Sequence, residues 1–108
     1  AMTMIGTPVY LAPEVCNSAP YGIKADVWSM GIVLYELLAL KPPFHGTNIA
    51  SLCMKIMKSQ HEPLPADLYS KDVRTMVDWM LRKSPEKRPF INQVLVEPAV
   101  AEVVAQLP

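Results

Sequence analysis

From Lys24 to Leu40 the chain reads KADVWSMGIVLYELLAL, and between Val27 and Leu40 only Ser29, Gly31 and Glu36 are not apolar. On a helix of 3.6 residues per turn these side chains point in every direction. A helix apolar all round belongs inside a protein or in a membrane. A membrane span needs roughly 20 apolar residues in a row. Asp26, Ser29 and Glu36 interrupt this run, and Lys41-Pro42-Pro43 ends it. The run is therefore read as a helix central to a globular core, and 108 residues are hard pressed to wrap it on every side.

The rest of the chain supplies shorter, one-sided elements. Residues 1–22 hold scattered prolines and glycines without periodicity and read as an extended loop, with one helical turn from Pro13 to Asn17. Pro42-Pro43-Phe44-His45-Gly46 is a stop and a turn. Thr47 or Asn48 can cap a second helix, in which Ile49, Leu52, Cys53, Ile56 and Met57 form one stripe. Pro63 and Pro65 mark the next loop. Ser70 caps a third helix reaching about Arg82, with Val73, Met76, Val77, Met80 and Leu81 on one face and Asp72 in its first turn. A short helix follows over Ile91 to Val96. A last stripe runs through Val100, Val103, Val104 and Leu107. No stretch alternates with period two for more than a few residues, so almost no sheet is expected and the fold class is all-α.

Composition narrows the function classes. Basic and acidic residues are equal in number, at ten each, which gives no basic stripe for nucleic acid and no cluster for an anionic membrane. With 51% hydrophobic and 19% charged residues the chain is globular rather than disordered. Cys16 and Cys53 show neither a pairing pattern nor metal spacing, so a reducing, cytoplasmic setting is expected. No signal-peptide pattern opens the chain. His45 and His61 stand in loops without a second ligand and are expected to be solvated, so no metal site is read. The seven methionines lie mainly on helical stripes and read as core filler.

Short motifs follow one another in a fixed order: Gly6-Thr7-Pro8, Tyr10, Ala12-Pro13-Glu14, Asp26-Val27-Trp28-Ser29-Met30-Gly31, Pro43-Phe44 and Arg88-Pro89. Together they resemble the second half of a eukaryotic protein kinase domain, from the end of the activation segment onward. IGTPVYLAPE, YELLALKPPF and SPEKRP are most similar to the NIMA-related serine/threonine kinases. The resemblance implies a C-terminal lobe fragment of the bilobal kinase fold, its central F-like helix packed by G-, H- and I-like helices. It divides the chain into residues 1–22 (end of the activation segment and substrate loop), 23–98 (lobe helices) and 99–108 (helical tail).

The same resemblance assigns roles. Gly6, Thr7, Pro8, Val9, Tyr10 and Leu11 would form the platform for the substrate residue that follows the phosphate acceptor. Thr7 would also hydrogen-bond the catalytic aspartate and lysine, a task suited to a hydroxyl because it both donates and accepts; a threonine here favours Ser/Thr specificity. Thr3 lies at the offset of an activating phosphorylation site. Glu14 and Arg88 would pair as carboxylate and guanidinium, tying the substrate loop to the helices. Asp26, whose plain reading is a first-turn acid, would brace the catalytic loop. Trp28 reads as core, and Val33 and Leu37 match the positions beneath the hydrophobic column that reaches the adenine of ATP. Two departures stand out: Phe90 replaces the usual Ser or Thr cap after Arg-Pro, and Glu97-Pro98-Ala99-Val100 replaces the usual His-Pro and aromatic, leaving the path of the tail open.

Phosphoryl transfer needs a glycine-rich loop, a strand lysine, the HRD…N catalytic loop and the DFG aspartate, and these 108 residues contain none of them. The expected function is thus the substrate-binding half of a protein serine/threonine kinase. ATP and Mg2+ serve the intact domain and are not bound by this segment. The expected partners are a protein substrate and the upstream half of the domain, with no nucleic acid and no membrane. The resemblance also allows a cytoskeletal or nuclear location. A non-catalytic pseudokinase piece or scaffold is the alternative, and the presence or absence of HRD and DFG upstream separates the two.

Overall fold

The computed structural model describes residues 3–4, 7–8, 11–20 and 22–106. Gly6, Val9 and Tyr10 of the substrate platform lie outside the described residues. Two two-residue strands, β1 (Thr3–Met4) and β2 (Thr7–Pro8), pair antiparallel, with Thr3 opposite Pro8 and Met4 opposite Thr7. After them come α1 (Pro13–Cys16), α2 (Ile23–Ala39), α3 (Ile49–Lys58), α4 (Lys71–Met80), a 3-10 turn (Pro85–Lys87), α5 (Ile91–Leu95) and α6 (Ala99–Gln106). This is the all-α lobe expected, around one central helix. Among the described residues no helix is long and apolar enough to cross a membrane.

The central helix α2 buries Ala25, Val27, Trp28, Gly31, Ile32, Tyr35 and Leu38. Each large member contributes about 1.5–3 kcal/mol by leaving water. Gly31 is where α4 crosses: a Cβ there would sit 2.9 Å from Leu81 Cδ2 and 3.0 Å from Met80 Cβ, closer than side chains pack. The opposite face of α2 is bare, with Met30, Val33 and Leu37 at 46%, 44% and 51% exposure. α5 and α6 flank this face without covering it, because each brings only one apolar stripe and α5 is a turn or so long.

Local signals set the ends. Asn48 caps α3 by accepting the Ser51 N–H at 2.9 Å. The Ser70 hydroxyl accepts the Val73 N–H at 3.2 Å and donates to Glu102 at 2.7 Å, so one cap both starts α4 and docks α6. α4 ends at Met80 rather than near Arg82, with Leu81 as its C-cap. The start of α5 is held by half a capping box: a Phe90 ring cannot accept a hydrogen bond, but Gln93 Oε1 accepts the Phe90 N–H at 2.7 Å. The tail settles as α6, packed on α4 through buried Ala99 and Val103.

Candidate functional site

Arg88 is buried, at 2% exposure, in the segment between α4 and α5. A buried guanidinium is tolerable only with its donors satisfied and its charge matched. Nη1 donates to Glu14 Oε2 at 2.8 Å and to the Lys24 carbonyl at 2.9 Å. Nη2 donates to Glu14 Oε1 at 2.6 Å and to the Lys83 carbonyl at 3.1 Å. Nε donates to the Arg82 carbonyl at 2.7 Å. These contacts occupy all five N–H donors of the guanidinium. The pair with Glu14 is bidentate and spans 74 positions of sequence.

Glu14 is presented to it by α1, whose N-cap Ala12 and first residue Pro13 are buried and whose Pro13 presets the opening turn. Burial alone would push the Glu14 carboxyl up. The Arg88 hydrogen bonds and charge outweigh it and hold the carboxyl below its ordinary value. Lys24, at the start of α2, closes the knot from the other side, donating to the Arg88 carbonyl at 2.7 Å and lying 4.2 Å over the Phe90 ring. The loop that runs through β2 to Leu11 is thereby fixed at its downstream end to the helical core.

Behind the knot lies an aromatic stack. The Arg88 guanidinium is 5.2 Å from the centre of Trp28, and Trp28 stacks on Phe44 at 5.9 Å and 13°. Lys83 lies 4.3 Å over Phe44 and donates to the Ile56 carbonyl. Desolvation lowers its ammonium pKa to about 8. A lysine depressed in the folded state binds fewer protons there than in the unfolded chain, so its cost is present below pH 8 and lifts as pH rises toward 10.5. The wild type should therefore gain stability relative to Lys83→Met as pH rises from about 8 to 10.5. Urea midpoints of both proteins at pH 7 and pH 10 check this, and a constant difference would refute it.

The other expected residues are placed as follows. Leu11 is half-buried against the core. Thr3, Thr7 and Pro8 lie in the paired strands. Trp28 is fully buried; its indole N–H has no partner among the described residues. Asp26 is exposed in the first turn of α2, at the rim of a groove of about 470 Å³ that also includes Met30, Phe90 and Asn92. Val33 and Leu37 line a larger apolar groove of about 580 Å³, closed on its far side by Met76, Val94 and Val103. Among the described residues no group of His, Cys, Asp and Glu could hold a metal ion.

One expectation is corrected. His61 is not solvated: its side chain is 9% exposed, edge-on to Tyr35 and Phe44, with Nε2 2.8 Å from Asp78. The loop after α3 folds back under α2, where Tyr35 donates to the Glu62 carbonyl at 2.6 Å, and this carries His61 inward. This contact has no local sequence signal, because it comes from packing between elements. Cys16 and Cys53 are free, half-buried thiols on α1 and α3, which pack on each other.

The protein kinase domain family matches residues 1–100. The chain is 48% identical to the serine/threonine-protein kinase nekl-2 of Caenorhabditis elegans, over 93% of this chain and 28% of that protein. It is 40% identical to Nek5 of Homo sapiens, over 96% of this chain and 14% of that protein. It is 42% identical to Nek8 of Danio rerio, over 88% and 14%. The chain thus spans about a quarter or less of these relatives. With its helices in the expected order and Glu14 paired to Arg88, the chain belongs to the protein kinase domain family, as a Nek-like C-terminal lobe segment.

Proposed function

We propose that the chain is the substrate-binding half of a kinase that transfers the ATP γ-phosphate to serine or threonine of a protein. The observation that carries this reading is the fully satisfied Arg88–Glu14 knot, which ties α1 and the end of the preceding loop to the core. A platform for an extended peptide needs such an anchor, because a loop free at both ends cannot hold a substrate in register. In this reading Gly6 through Leu11 receive the peptide, Thr7 contacts the catalytic aspartate of another segment, and Asp26 braces the catalytic loop. ATP and magnesium are held outside residues 1–108, so no step of the transfer is assigned to these residues. The exposed Met30, Val33 and Leu37 face is then the seat of the upstream half of the domain. A reducing, cytoplasmic setting is part of the same proposal, supported by two free cysteines.

In the full-length protein, Thr7→Ala should lower kcat/KM on a protein substrate by roughly 10–100-fold. Losing one hydrogen bond to a charged group costs about 1.5–3 kcal/mol. Thr7→Ser should restore most of the activity. Thr3→Ala should also lower activity with an unchanged melting temperature, and mass spectrometry of active enzyme should find phosphate on Thr3. Full activity of Thr3→Ala would remove that site, and an unaffected Thr7→Ala would remove the platform.

A further inference from the structure

Between the loop after α3 and the stretch from the end of α4 to the 3-10 turn lies a polar groove of about 570 Å³. Arg82, Lys83 and Lys87 all line it, and Asp78 is the acid among its lining residues. The chain as a whole balances its basic and acidic residues, so this local excess of positive charge comes from the fold and not from composition. The acids around the groove are already engaged. Asp78 holds His61 Nε2 at 2.8 Å, Glu62 accepts from Lys41 at 2.7 Å, and Glu86 accepts from the Ser84 hydroxyl. Two of the cations are not. Arg82 and Lys87 are exposed, and among the described residues their side chains make no hydrogen bond, ion pair or ring contact. Lys83 is half-buried on the Phe44 ring and the Ile56 carbonyl, with no carboxylate bonded to it.

We propose that this groove binds a phosphorylated serine or threonine on a segment of a partner protein. Like charges gathered without a counter-charge repel one another, and an anion seated among them removes that repulsion. The charge fits a phosphoryl group. Three cations against Asp78 leave an excess of two positive charges, and a phosphorylated side chain carries about −1.5 to −2. Arg82 offers a planar fork to phosphate oxygens, and Lys87 a compact charge on a flexible stem.

The surroundings favour a peptide over other carriers of phosphate. Pro63 and Leu81 give the groove apolar lining that a bare phosphate ion would leave unused. Asp78 and Glu62 stand exposed, at 59% and 69% of their side chains, and would be repelled by the anionic surface of a membrane. The backbone beneath the cations is fixed before any ligand arrives, because the Arg82 and Lys83 carbonyls accept from the buried Arg88 guanidinium. A site held in place in advance loses little freedom on binding. The proposal uses none of the substrate platform and stands apart from the kinase reading.

The test uses the full-length protein, without ATP, and two pools of short degenerate peptides that differ only in a central phosphoserine or serine. The phosphoserine pool should bind at least about tenfold more tightly, the effect of one hydrogen bond between charged groups. Arg82→Ala combined with Lys87→Ala should abolish that preference with an unchanged melting temperature. Should the double variant misfold, Lys87→Glu alone takes its place, because that side chain is exposed and bonded to nothing among the described residues. Equal binding of the two pools overturns the proposal. So does a preference that the variants keep, which puts the phosphate at another site. Inorganic phosphate and vesicles of phosphatidylcholine with phosphatidylinositol bisphosphate serve as competing arms. Displacement of the peptides by phosphate at equal concentration would mean an ion site only. Vesicle binding lost in the variants, without a preference between the pools, would mean a membrane site. Either result overturns the proposal.

Discussion

Arg88→Ala in the intact kinase domain is expected to cost roughly 3–5 kcal/mol of stability, read as a drop in urea midpoint. The size follows from what is left behind. The Glu14 carboxylate, its side chain 13% exposed, would lose its only ion-pair partner among the described residues. Three carbonyls, of Lys24, Arg82 and Lys83, would lose their donor at the same time. Arg88→Lys should recover only part of the loss, because an ammonium has three donors and no planar fork. Glu14→Gln tests the charge separately. A carboxyl held below its ordinary value of 4.5 contributes stability that is fully present above pH 4.5 and is lost as pH falls through its folded value. The gap between wild type and Glu14→Gln should therefore shrink on acidification below pH 4.5. A loss under 1 kcal/mol for Arg88→Ala would mean that the knot anchors nothing.

Residues 1–108 expressed alone should self-associate. Met30, Val33 and Leu37 stand about half exposed beside Ile91, Leu95 and Val104, on an apolar groove of about 580 Å³. Soluble monomers rarely leave more than a few hundred Å² of contiguous apolar surface open. Sedimentation of the isolated segment should show dimers or larger species, with strong binding of a hydrophobic dye. Leu37→Glu together with Val33→Glu should move it toward monomer. The same pair placed in the intact domain should reduce soluble yield severely, because there the face is proposed to be covered. A monodisperse, cooperatively melting monomer of the unmodified segment would show that this face needs no cover.

Much of this fold was legible one element at a time. The continuous apolar run located α2, the side-chain caps Asn48 and Ser70 located α3 and α4, and the proline blocks located the breaks. These are local effects: helix periodicity, capping and proline geometry act within a few residues, so a linear string contains them. The Glu14–Arg88 pair was expected only through family resemblance, since two charges so far apart carry no signal of their own.

Tertiary structure alone decided the rest. Which face of α2 is covered depends on the crossing of α4 at Gly31, where the missing side chain lets two helices touch. His61 is buried because Tyr35 holds the following carbonyl and aromatic rings close around it. Lys83 is depressed because the fold lays it over Phe44 and away from water. α1 rests on α3 while Arg88 tethers its Glu14 from another side. Burial and charge proximity are properties of neighbours in space, and a sequence orders only neighbours along the chain.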